Sequence, residues 1–458
     1  MTPPAAAPPP GPKALIERLL SPIADVRRNE AASALLLTLI MTLILGAYYM
    51  LKTAREVFIL GEGGAAVKSY SAAGQAVLLL VLVPAYGAFA SRVNRIQLVQ
   101  WVTLFFASNL VLFLLAIGAG WRVGIAYFLW LGIFNLMVIA QFWAFANDLY
   151  TPEQGRRLFP LIGVGSSLGA WIGSVRAGQV VASLGTNRLL VVGAVVLVVC
   201  AVLARLVYHV RPRAQAAHVV ADEKPLGRAG GFSLIFADRY LTLIAVLTVL
   251  LNIVNTSGEY LFGRYVVDMA VAAHGTGPGA ADARAAYIGG MYSRLFSTVN
   301  LLGFLLQIFV VSRVFKFLGL GRSLFIHPVV ALSGYLLMLR APSMTAMSYL
   351  KIADNSIDYS LGNTTKQALW LPTSREAKYK AKQAVDSFFV RTGDVIQAAL
   401  VFMGERLAFA VPAFATMNVV LAGAWLGVVV LLNREMRVQA RSPVATPAAA
   451  PLPAATKA

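Results

Sequence analysis

Residues 188–208 read RLLVVGAVVLVVCAVLARLVY. Charge enters only at Arg188 and Arg205, and the apolar run is long enough, as an α-helix, to cross a hydrocarbon core that takes about 20 residues to span. Moving outward in both directions, the same pattern recurs along nearly the whole chain, with short polar joins between the runs. The 458 residues are 58% hydrophobic and 13% charged, against roughly 25% charged in a soluble domain. Mean hydropathy is +0.71. These values exclude both a soluble protein and a soluble domain on a membrane anchor.

Spans are expected at about 34–54, 70–90, 98–120, 123–147, 158–183, 188–208, 240–262, 286–311, 320–339, 343–369, 383–403 and 409–432. The fold expected is therefore an all-α membrane protein of twelve transmembrane helices in two pseudo-repeated six-helix halves. Its parts are a disordered N-terminal segment (1–30), a first bundle (31–208), a polar linker (209–238), a second bundle (239–433) and a disordered tail (434–458). Both ends are Pro/Ala-rich and without apolar period. The beginning, MTPPAAAPPPGP, lacks the charged start, short apolar stretch and cleavage site of a signal peptide. Lys and Arg outside the spans concentrate in the termini and even-numbered joins, which predicts an inner-membrane protein with both termini and the linker in the cytoplasm.

An internal repeat supports the two halves. Ser91-Arg92-Val93-Asn94-Arg95 and Ser312-Arg313-Val314-Phe315-Lys316 are offset by 221 residues, and Pro152 and Pro372, each opening a basic segment, by 220. Six helices between copies give both the same membrane orientation, the parallel-repeat relation of the major facilitator architecture. The stretch Gly87–Arg95 is similar to that superfamily's loop between spans two and three, with Ser91 in place of its usual Asp.

The net charge of +19 does not point to a nucleic acid polymer, since the basic residues sit at the ends of apolar runs and no polar domain offers a binding face. The partners expected are the lipid bilayer and a small anionic substrate. Cys200 is the single cysteine, so no disulfide forms within one chain. His209, His218, His274 and His327 are scattered, no metal-ligand cluster is recognisable and no GxxxxGK[ST] loop is present. No cofactor or metal is expected, and an enzyme is disfavoured against a transporter. A channel is disfavoured too, because pseudo-repeated halves with buried mixed charge suit alternating access better than a pore. The run from Gly163 to Gly169, GVGSSLG, follows no strand and reads as small residues that let helices approach closely.

Ionisable groups within spans are costly unless they face a cavity or one another, and so mark the substrate path. The candidates taken are Arg176, Glu259, Arg294, Lys351, Asp354, Asp358, Lys366, Arg391 and Asp394. In span ten, Lys351, Asp354, Asp358, Gly362 and Lys366 share one helix face. The first three either form an ion-pair ladder or couple to transport. Lys366 has no acid three or four residues before it, which leaves its charge for a ligand. Arg391 and Asp394 are spaced as an i, i+3 pair. Arg55 and Glu56, beside Lys52, either line the path or snorkel to the interface.

Specific strings resemble the plastid and bacterial ATP/ADP translocase family, which exchanges nucleotides. Residues 142–165, FWAFANDLYTPEQGRRLFPLIGVG, are similar to its FWxFAN segment with the following basic pair. Residues 358–386, DYSLGNTTKQALWLPTSREAKYKAKQAVD, resemble its YSLxxxxKExxYxP…KxKGKAAxD segment, and LKTAREV (51–57) its LRDTKDV. Arg239-Tyr240-Leu241 and Glu259 match an RYL and a glutamate at the same spacing. The resemblance implies a substrate site of Arg55, Glu259 and Lys366, with Leu131 where the family carries a second glutamate. It also implies an ATP:ADP-type antiporter, with nucleotide specificity weakened at Leu131, where Asn135, one turn away, is the nearest substitute. The alternative is a transporter of another organic or phosphorylated anion, proton-coupled through Glu259 or Asp358.

Overall fold

The computed structural model describes residues 26–90, 95–210, 230–374 and 376–441, and all its regular elements are helices. The expectations for the N-terminal Pro/Ala segment, for Ser91–Asn94 and for the far tail lie outside the described residues.

Helix α1 is Arg28–Ala90, α2 Arg95–Gly118, α3 Gly124–Leu149, α4 Pro152–Leu184 and α5 Asn187–Val210. After the linker come α6 Gly231–Ala237, α7 Arg239–His274, α8 Ala281–Phe309, α9 Val311–Ser323 and α10 Ile326–Arg340. Then α11 Met344–Ile357 passes through a π-helical turn, Asp358–Gly362, into α12 Asn363–Ala368. Two more π turns, Ala377–Ala381 and Val385–Phe389, flank α13 Lys382–Ala384 and lead into α14 Val390–Arg406, and α15 is Val411–Arg441.

The two first expected spans lie in α1, interrupted only at Gly64, whose φ of 70° only glycine adopts without strain. Lys68 and Glu56, twelve residues apart, would be about 18 Å apart in a straight helix. Their side chains form an ion pair of 2.8 Å, so the chain bends back at Gly64 and the join is one residue long.

Among the described residues seven helices are long and apolar enough to cross a membrane, or eight if α8 and α9, bent by 73°, make one crossing. Three expected spans do not stand as single long helices. Span nine is split between the end of α9 and the 15-residue α10, and spans ten and eleven are divided by π turns. The boundaries also move. The first helix starts at Arg28, inside the segment expected to be disordered, because Glu30 is buried and accepts from Arg157 and Gln154, each at 2.9 Å. Residues 231–237 are helical within the expected linker, and α15 runs to Arg441, past the expected end at 433.

The first half has its own apolar core, including Leu37, Phe106, Phe134, Leu158 and Leu197. The core of the second half reaches across to Tyr49, Val57, Leu60 and Ala170 of the first. Along this seam Ser293 donates to the Ser174 carbonyl (2.6 Å), Asn300 to the Ala170 carbonyl (3.3 Å) and Gln397 to Ser69 (3.3 Å). The expected close packing of α4 is present: Gly165, Gly169 and Gly173 lie against Thr38, Thr42 and Gly46 of α1, one turn apart on each helix. Gly163 itself has open space around it. Cys200 is buried, its thiol 4.0 Å from the Ile40 carbonyl.

Candidate functional site

The bend at Gly64 sets the site. It returns Lys68 to the level of Glu56, which lies fully buried between Lys68 and Arg55. Arg55 bonds Glu56 through its guanidinium and lies over the Phe128 ring, 4.6 Å from its centre. Lys52, a turn earlier, lies over Phe296 of the second half at 4.3 Å. Such cation–π contacts hold a desolvated ammonium without a carboxylate.

From the second half, Glu259 of α7 meets Lys68 at 3.4 Å and Lys351 of α11 at 3.3 Å. Lys68 also bonds the Tyr292 hydroxyl at 3.4 Å, so this one ammonium ties the two halves together. Lys351 is fully buried and is held by Asn255 (2.8 Å) and Asp354 (3.3 Å), while Asn355 donates to Glu259 (3.3 Å). Asp354 also accepts from the ring of His327 on α10, at 2.9 Å. The seven charged groups are Lys52, Arg55, Lys68 and Lys351 against Glu56, Glu259 and Asp354, four positive and three negative, a net +1. Glu259, with 26% of its side chain exposed, is the most accessible carboxylate of the cluster.

Arg55 and Glu259 are thus brought together, through Glu56 and Lys68, and Lys351 and Asp354 join them. Lys366 stands apart. The reading that it lacks a nearby acid is corrected: Asp358, eight residues earlier, pairs with it at 3.1 Å, because the intervening π turn and the lysine's reach set a spacing no α-helical rule anticipates. Asp358 is accordingly not in a ladder with Lys351. Lys366 and Asp358 line a separate cavity of about 380 Å³ with Asn252, Asn255, Gln367 and Trp370. Arg391 and Asp394 form the expected i, i+3 pair (3.1 Å), and Asn252 also donates to Asp394. Arg294 and Arg176 carry exposed local bonds, to the Gly290 carbonyl and to Gln179.

Leu131 is fully buried in the first-half core, which also holds Trp130 and Phe134. Leu131→Glu therefore places a carboxylate in a buried apolar core. It is expected to destabilise the protein by about 3 kcal/mol or more. The measurement is the yield of monodisperse protein after gel filtration, and an undiminished yield would refute this placement.

Sequence reading missed Lys68 and His327. Lys68 fell in a join, and only the bend at Gly64 brings it inward. His327 lay within expected span nine and met the same test as the other in-span ionisable groups, so the signal was available.

No family model and no curated protein matches the sequence. Solved structures do. A bacterial homologue of the iron transporter ferroportin, in an inward-facing state, matches with a TM-score of 0.62 at 14% identity, over 88% of this chain and 98% of that one. The nucleoside transporter NupG matches at 0.58 and 12% identity, over 88% and 99%. A bacterial homologue of the human lysosomal transporter Spinster, inward-facing and unoccupied, matches at 0.52 and 14% identity, over 89% and 95%. The chain has the fold of the major-facilitator-type transporters and is a multi-pass membrane protein.

Proposed function

We propose that this protein carries a small anionic solute across the membrane by alternating access. The observation that carries the reading is the charge cluster at the seam, where both halves contribute to a buried site of net +1. An anion entering there competes with Glu259 for Lys68 and Lys351, and so loosens the ion pair that ties the halves together. Movement is then easier with an anion bound than without, since bare lysines facing one another are costly at low dielectric. That is the physical requirement for exchange. The sequence resemblance to the ATP/ADP translocases makes nucleotides the first anions to test, and a phosphorylated or other organic anion the second. Twelve spans and cytoplasmic termini complete the proposal, on the distribution of Lys and Arg.

The test is uptake of radiolabelled ADP, ATP, inorganic phosphate and a neutral amino acid into proteoliposomes, with and without unlabelled solute inside. Uptake of an anion, accelerated several-fold by internal anion, is the expected result. Uptake of the neutral amino acid alone would overturn the anionic reading.

A further inference from the structure

We propose that the cavity of about 380 Å³ beside the charge cluster receives a neutral, hydroxyl-bearing group, so that the anion carried is a sugar phosphate. The inference deepens the alternating-access reading and rests on it for the anionic end of the solute.

The cavity offers no unmatched charge to an ion. Asp358 and Lys366 pair at 3.1 Å, and Asp386 is matched by Lys382 at 3.0 Å, so each charge bordering the cavity has a neighbour of opposite sign. What remains for a ligand is a set of amides. Asn363 and Gln367 lie one turn apart on α12, and both are exposed. Among the described residues neither amide has a hydrogen-bond partner. Asn252 spends its Nδ2 on the Val390 carbonyl and on Asp394, each at 2.8 Å, and keeps an acceptor. Asn255 accepts from Lys351 and keeps its donors. Donors and acceptors side by side suit neighbouring hydroxyls, each of which both gives and takes a hydrogen bond, whereas a phosphate or carboxylate only accepts. The rest of the wall, with Leu247, Leu251 and Trp370, is apolar and matches the C–H faces of a sugar ring.

The π turn places one of these amides. Asp358 and Asn363 both line the cavity although they are five residues apart, the repeat of a π turn and not of an α-helix. Asn255 then joins the cavity to the charge cluster, since it borders the one and holds Lys351 of the other at 2.8 Å. On α7, Asn252, Asn255 and Glu259 are all half-buried, and their spacing puts them on one face over about 10 Å. A solute with its phosphate at Lys68 and Lys351 and its ring among the amides lies along that face. The reverse placement would set the phosphate against Asp358 and Asp386.

Calorimetric titration of the purified full-length protein tests this with glucose 6-phosphate, mannose 6-phosphate, fructose 6-phosphate, ribose 5-phosphate, the free sugars, inorganic phosphate and ADP. The tightest sugar phosphate is expected to bind at least tenfold more tightly than inorganic phosphate and than its own free sugar. Asn363→Ala combined with Gln367→Ala changes two exposed side chains and should leave thermal unfolding in place. It is expected to weaken the sugar phosphate about tenfold, to the level of inorganic phosphate, for two lost hydrogen bonds. Three results would overturn the inference: a sugar phosphate bound no more tightly than inorganic phosphate, a double variant that keeps the preference, or ADP bound more tightly than every sugar phosphate. Inorganic phosphate that still binds in those cases keeps the anionic reading standing. A free sugar bound as tightly as its phosphate would overturn both.

Discussion

Replacing Lys351 by methionine is expected to cost about 3–5 kcal/mol of stability, the range for a buried ion pair that loses one partner. The ammonium is fully buried and faces Glu259 and Asp354, each at 3.3 Å, so its removal leaves the buried Asp354 without its cation and Glu259 with Lys68 alone. Packing changes little, because methionine fills nearly the same volume. The cost is therefore electrostatic, and it has a signature. Lys351→Met combined with Asp354→Leu removes one charge of each sign and should recover most of the loss. Thermal unfolding of the purified single and double variants measures both. A double variant no more stable than the single one would show that the lysine is held for its shape and not for its charge.

Gly169→Leu is the second change expected to be severe. A Cβ at this position would sit 2.1 Å from the Thr42 carbonyl oxygen, a backbone atom that no rotamer change can move. Helices α1 and α4 would have to separate along the whole Gly165–Gly173 contact, losing dispersion over two turns and costing about 3 kcal/mol or more. Gly163→Ala, on the same helix with nothing within 4 Å, is the control and should lie within about 0.5 kcal/mol of the parent. The fraction of protein that stays monodisperse after heating distinguishes the two, and equal behaviour would remove close packing as the role of this glycine run.

The membrane fold was legible because run length and apolarity are one-dimensional properties, read without knowing any contact. The boundary at Arg28 was not, because it depends on Arg157, which lies far away in sequence. Within the site, Glu259, Lys351 and Asp354 followed from one energetic rule, that charge in a span needs a partner or a cavity, while Arg55 came from the resemblance. The same rule applied to His327 and would have found it. Lys68 could not be found this way, since its burial is created by a bend at one glycine. Lys366 was misread for a different reason. Spacing rules assume 3.6 residues per turn, and the turn at Asp358–Gly362 departs from that period.

The join at Gly64 has a consequence for how this chain can vary. Connections between helices ordinarily absorb insertions and deletions, because extra length is accommodated in solvent. Here one added residue would advance everything after it by 100° and 1.5 Å. Lys68, four positions beyond the glycine, would swing away from both Glu56 and Glu259, leaving Glu56 to Arg55 and Glu259 to Lys351. The first two helices are therefore locked in phase like meshed gears, and length at this tip is as constrained as residue identity is in the cluster below.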